Sequence, residues 1–185
     1  MASPLPRPKL ATDRPIVLVG LMGAGKSTVG RRLARRLDLP FVDADEEIER
    51  AAGLTITEIF DRLGEPAFRD GERRVIARLV EGHPKVVATG GGAFVNSATR
   101  AVILERCIAV WLDAEVETLA ERVVRRDHRP LLRGRDPREL IEELARRRNP
   151  LYGQAHLRVA AEPGAHDDVV DRIVSALIER ERSAG

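Results

Sequence analysis

The stretch Gly20-Leu21-Met22-Gly23-Ala24-Gly25-Lys26-Ser27-Thr28 holds the residue types and spacing that most directly suggest chemistry, spelling G-x-x-x-x-G-K-S. Its glycines let the main chain curl so that several N–H groups face one anion. A helix opening at Lys26 adds its own donors and partial positive charge. The Lys26 ammonium is placed to reach the β- and γ-phosphates of a nucleoside triphosphate, and the Ser27 hydroxyl to bind Mg²⁺. The plainer alternative is a glycine-rich turn that merely joins two elements. The apolar run Ile16-Val17-Leu18-Val19 before it and Val29-Gly30-Arg31-Arg32-Leu33-Ala34 after it are a strand and a helix of the required kinds, which favours the nucleotide reading.

Three more groups fall after later apolar runs. Asp43 and Asp45 are two residues apart, so their side chains share a face if extended geometry persists. One carboxylate could then hold Mg²⁺ through a water molecule while the other accepts a hydrogen bond or proton from an attacking hydroxyl. The alternative is a solvated turn capping a helix that starts at Glu46. Gly90-Gly91-Gly92 is either a tight turn or a place where a ligand approaches the main chain closely, and the entropy cost of three consecutive glycines favours the second. Residues 127–136, rich in Arg, Pro and Gly, lack a core pattern and read as a lid that excludes water, or else as a charged surface loop. Arg69, and Arg148 within Arg146-Arg147-Arg148, read singly as solvated helix residues.

The elements that position these groups follow from apolar periodicity. A helix is expected from residue 26 to about 37, a short strand at Phe41-Val42, and a helix from Glu46 to Ala52 closed by Gly53. Thr55 with Glu58 forms a capping signature, and Gly64-Glu65-Pro66 resets the chain before a helix to about Val80. Strands at 86–89, 108–112 and 157–160 alternate with helices at 97–106, 115–126, 137–148 and 167–181. The helix from Pro137 is expected to be interrupted at Asn149-Pro150 and to resume to Gln154. Strands apolar on both faces, alternating with helices, imply an α/β fold with a parallel sheet covered on both sides. Ligands of such sheets gather at the carboxyl ends of the strands, where the four groups above all fall.

At 185 residues, with 43% hydrophobic and 32% charged residues, the chain reads as one soluble globular domain over residues 14–182. The 28 arginines and 3 lysines are mostly interleaved with carboxylates, and the net charge is only +2. That balance, with 3% aromatic residues, argues against a nucleic-acid partner. Cys107 is the lone cysteine and the four histidines lack metal-ligand spacing, so a cytoplasmic protein without a disulfide is expected. Residues 1–13 read as a loose proline-rich tail, with no apolar run that would serve as a leader or membrane span.

From about Ile16 to Tyr152 the sequence resembles the shikimate kinases. The resemblance rests on the loop at 20–30, F-V-D-A-D at 41–45, F-R-D-G-E at 68–72, A-T-G-G-G at 88–92, R-P-L-L at 129–132 and R-N-P-L-Y at 148–152. It implies a three-layer α/β/α P-loop kinase with five parallel strands and a mobile lid. The implied activity is transfer of the γ-phosphoryl of ATP to the 3-hydroxyl of shikimate, with Mg²⁺ as cofactor. ATP and shikimate are the implied partners, the protein is expected to be a monomer, and no membrane is involved. By the same resemblance Gly23, Ala24, Gly25, Lys26, Ser27 and Thr28 hold ATP, Arg122 packs against adenine, and Arg129 reaches the phosphates from the lid. Asp45 binds the accepting hydroxyl, Arg69 and Arg148 clamp the carboxylate, Gly92 and Gly91 offer main chain to the acceptor, and Ser27 and Asp43 attend the metal. Pro163 is the matching candidate beside adenine. Another kinase of this fold, acting on gluconate or a nucleoside monophosphate, is the nearest rival, and a nucleotide-dependent switch a more distant one.

Overall fold

The computed structural model describes residues 13–125 and 134–184. Arg129, most of the expected lid and residues 1–12 of the expected tail lie outside the described residues. Five parallel strands form one sheet: β1 (Ile16–Val19), β2 (Phe41–Asp43), β3 (Val86–Ala88), β4 (Ile108–Asp113) and β5 (Leu157–Ala160), in the order β2-β3-β1-β4-β5. β1 is central, with Val17 registered against Val87 on one side and Ala109 on the other. All four of its residues are fully buried, which explains a strand that is apolar without alternation. The chain leaves β1 toward β2 on one side, and β3 leads to β4 on the other. The resulting switch point opens a crevice at the carboxyl end of β1.

Among the described residues the α-helices are α1 (Lys26–Leu37), α2 (Ala44–Ala52), α3 (Ile56–Leu79), α4 (Ser97–Arg106), α5 (Val116–Val124), α6 (Pro137–Tyr152) and α7 (His166–Ala184). α1 packs on α7, α2 on α3, and α5 on α6. Thr55 and Glu58 form the expected reciprocal cap, a device whose loss costs about 1 kcal/mol. α3 breaks at Gly64, whose φ of 83° and ψ of 167° suit glycine, and Pro66 restarts the helix, so the expected reset is real. Cys107 is fully buried, and burial pushes its thiol up to about 12, in keeping with a packing role. Among the described residues no helix is long and apolar enough to cross a membrane.

Two local expectations are corrected. α2 begins at Ala44 rather than Glu46, because the Asp43 carboxylate accepts the Asp45 N–H and caps the helix immediately after β2. Asp45 therefore stands in the first turn of a helix, and the shared-strand-face geometry does not apply. α6 continues through Asn149-Pro150 to Tyr152 without interruption. A proline in the last turn removes only one hydrogen-bond donor, and the bonds from Gly153 to Asn149 and Leu151 close the helix beyond it.

Candidate functional site

The phosphate loop leaves β1 at Gly20 and enters α1 at Lys26. Gly25 takes φ 87° at the helix entry, a conformation that favours glycine and turns the following N–H groups into the loop. The Lys26 side chain is nearly buried and its ammonium donates to the carbonyls of Gly20 and Leu21, both at 2.8 Å. These bonds are already charge-assisted through the ammonium, and phosphate oxygens in place of the carbonyls would add the attraction of opposite charges. Arg122 on α5 donates to the Gly23 carbonyl at 3.1 Å, so α5 is tied to the loop. A β-carbon at Gly25 would lie 3.7 Å from His166 Nε2 and 3.8 Å from Arg122 Nη1, so these two side chains flank the helix entry. The expected base-side residue Pro163 is exposed in the segment before α7, while His166 at the start of that helix is the residue seen beside the loop.

α1 can approach β2 because Gly30 has no side chain: a β-carbon there would come within 2.5 Å of Phe41 Cε2. This approach brings Ser27 Oγ to donate to Asp43 Oδ2 at 2.6 Å while Asp43 Oδ1 caps α2. A hydroxyl and a carboxylate oxygen so placed are hard ligands of the kind Mg²⁺ takes. Among the described residues no group of three or more His, Cys, Asp and Glu side chains could hold a metal. The donor set therefore fits a cation delivered with phosphate oxygens, which needs only one or two protein ligands.

Beside the loop lies a cavity of about 530 Å³, in the range of small-molecule sites. Asp43, Asp45, Arg69, Glu72, Gly90, Gly91, Gly92 and Arg148 line it, with Met22, Phe60 and Phe68 as apolar wall. The structure thus gathers the Asp pair, both arginines and the triple glycine, while Lys26, Ser27 and Arg122 belong to the adjoining loop. Arg69 donates to Glu72 Oε2 at 2.8 Å and lies over the Phe68 ring at 5.0 Å. Both contacts fix a long side chain with its fork toward the cavity.

Two residues of this site had no role in the sequence reading. Glu72 is 2% exposed; one oxygen meets Arg69, and the other is buried with no hydrogen-bond partner among the described residues. Burial raises its carboxyl above the usual range, against the lowering pull of Arg69. Tyr152 is fully buried, donates its hydroxyl to the Gly91 carbonyl and hydrogen-bonds Arg148 one turn earlier on α6. Burial pushes its phenol up to about 12, so it stays a donor at all ordinary pH. The available signal was helical spacing: Glu72 is three residues after Arg69, and Tyr152 four after Arg148.

Comparison with known proteins agrees on one family. The family model described as shikimate kinase matches residues 22–178. A shikimate kinase of Caulobacter vibrioides is 60% identical over 162 residues, covering 88% of this chain and 81% of that protein. Among solved structures, shikimate kinase from Acinetobacter baumannii in complex with shikimate superposes with a TM-score of 0.87 at 40% identity, covering 91% of this chain and 95% of that one. A gluconokinase from Sinorhizobium meliloti reaches a TM-score of 0.65 at 20% identity over 96% and 97% of the two chains, a likeness of fold alone.

Proposed function

The chain belongs to the shikimate kinase family, and we propose a division of labour among its residues for the reaction of that family. It is an ATP-dependent kinase that transfers the γ-phosphoryl group of ATP to the 3-hydroxyl of shikimate, giving shikimate 3-phosphate and ADP. The observation that carries the assignment of roles is the junction of a phosphate loop with a cavity holding two arginines and a carboxylate.

Main-chain N–H groups of residues 23–28 and the Lys26 ammonium cradle the phosphates and draw charge from the transferring group. Ser27 Oγ, and Asp43 through water, would hold Mg²⁺. When bound with the nucleotide, Mg²⁺ neutralises charge on the β- and γ-phosphates. Arg69 and Arg148 grip the shikimate carboxylate, a task suited to planar guanidinium forks and not to lysine. That anchor points the far side of the ring at Asp45, which accepts the hydrogen bond of the 3-hydroxyl and aligns its oxygen with the γ-phosphorus. Asp45 takes the proton as the new P–O bond forms and the bond to ADP breaks. Gly91 and Gly92 bring main chain against the acceptor. Arg122 flanks the base end of the loop. The domain spans residues 14–182 and acts as a cytoplasmic monomer.

The test is the identity of the product. Phosphorus-coupled proton NMR of the reaction mixture is expected to show the phosphate on the 3-oxygen of shikimate. A phosphate on another oxygen would overturn the orientation that sets the carboxylate on the arginines and the 3-hydroxyl on Asp45.

A further inference from the structure

Gly90, Gly91 and Gly92 follow β3 as three consecutive glycines, yet none has φ in the left-handed region. Gly92 takes φ −92° and ψ −11°, a conformation alanine adopts freely. Backbone geometry therefore does not ask for glycine at any of the three, and each loses more conformational freedom on folding than alanine would. What would stand in the way of a β-carbon has to supply the reason.

At Gly90 that atom would lie 2.8 Å from Asp45 Oδ1, and at Gly92 it would lie 2.4 Å, 2.5 Å and 2.6 Å from Nη1, Nη2 and Cζ of Arg69. Both separations are shorter than van der Waals contact permits. At Gly91 the nearest atoms are Met22 N at 3.3 Å and Arg148 Nη1 at 3.5 Å. The sequence pattern suggested that a ligand approaches this main chain. The structure shows that the protein's own polar side chains do so at both ends of the turn.

We propose that Gly90 and Gly92 are positioning residues, which set the depth of Asp45 and Arg69 in the cavity by carrying no side chain. The inference rests on the proposed roles of Asp45 and Arg69, and it adds Gly90, which otherwise has none. The turn itself cannot yield easily. The Gly90 carbonyl accepts from Ala93 N–H at 3.3 Å, that of Gly92 from Val95 N–H at 3.1 Å, and that of Gly91 from the Tyr152 hydroxyl. A methyl group added at either end must therefore displace the opposing side chain. The Arg69 guanidinium is the far end of a flexible chain, so it moves and the fold survives. One pinned turn thus spaces the group that orients the hydroxyl from a group that holds the carboxylate.

Steady-state kinetics of Gly90→Ala and Gly92→Ala separate the two ends. Gly92→Ala is expected to raise the shikimate KM about ten- to a hundredfold, with the ATP KM unchanged, since misplacement by about 1 Å is enough for such a loss. Gly90→Ala is expected to act mainly on kcat. Added to Arg69→Ala, Gly92→Ala should change the KM no further, because its effect runs through that side chain. An equal rise of KM in the Arg69→Ala background would overturn the proposal, by showing that the added methyl group acts without Arg69. A crystal structure of Gly92→Ala decides the matter independently of activity: Arg69 displaced supports it, Arg69 unmoved refutes it. Should Arg69→Ala leave the shikimate KM untouched, the clamp role fails, and the crystal structure still decides whether Gly92 seats Arg69.

Discussion

Ser27 gives its hydroxyl hydrogen to Asp43 Oδ2 at 2.6 Å, joining the first turn of α1 to the end of β2. The contact spans strands that are not neighbours, since β3 lies between β1 and β2. It also leaves Asp43 with both oxygens engaged, one on Ser27 and one on the Asp45 N–H. A single carboxylate thus links the proposed metal ligand to the main chain that carries the proposed hydroxyl acceptor.

Asp43→Asn should raise the Mg²⁺ concentration needed for half-maximal rate by about 10- to 100-fold, the usual effect of losing a supporting partner around a metal. Titrating Mg²⁺ at a fixed concentration of ATP checks this. An unchanged Mg²⁺ dependence would confine Asp43 to capping α2.

Asp45→Asn keeps the shape of the side chain and its place in the first turn of α2, so the thermal midpoint should barely move. It removes the proton acceptor, and kcat should fall by roughly 10²- to 10⁴-fold. Turnover at the rate of the unmodified protein would remove Asp45 from the mechanism.

Arg148→Ala is expected to raise the shikimate KM by an amount corresponding to about 2–5 kcal/mol, the loss typical of truncating one partner of a buried charged contact. The ATP KM should hold. A shift confined to ATP would place Arg148 on the nucleotide side. Because Arg148 also hydrogen-bonds Tyr152, the conservative Arg148→Lys should keep the fold while restoring only part of the affinity.

Glu72 supplies a pH prediction. Burial raises its carboxyl in the folded protein, so the folded state holds that proton more tightly than the unfolded chain does. Its contribution to stability is full below the unfolded carboxylate value and is lost as pH rises through the folded one. Glu72→Gln stays neutral throughout. The difference in thermal midpoint, variant minus parent, should therefore become more positive from pH 4 to pH 7. A difference that stays flat or falls over that range would show that Arg69 outweighs burial at this carboxylate.

What could be read from the sequence was what local chemistry determines. The phosphate loop needs glycine conformations, a lysine and a hydroxyl in an unbroken order, and the αL geometry at Gly25 is written in that order. The cap at Thr55 and the break at Gly64 are equally local. The strands were legible because burial on both faces leaves an uninterrupted apolar run, as in β1 and β4. Asp43 and Asp45 were legible as a pair but not in geometry, since whether β2 ends at residue 43 depends on a side chain capping the next helix. Pro150 misled because a proline near a helix end costs one bond where a proline mid-helix costs the helix. Glu72 and Tyr152 were hidden for another reason: the burial of Glu72 beside Arg69, and the Gly91 carbonyl that meets Tyr152, come only from how the helices pack against the sheet. The triple glycine was legible as a close approach, while the identity of what approaches needed coordinates.

The central claim is that ATP and shikimate meet where the phosphate loop joins the arginine-lined cavity. Its most direct test is the initial rate of ADP release with ATP and Mg²⁺, alone and with shikimate, gluconate or nucleoside monophosphates. The account predicts strong stimulation by shikimate and little by the others. Stimulation by gluconate or a monophosphate in place of shikimate would contradict it, leaving the phosphate loop in its role and removing the carboxylate clamp.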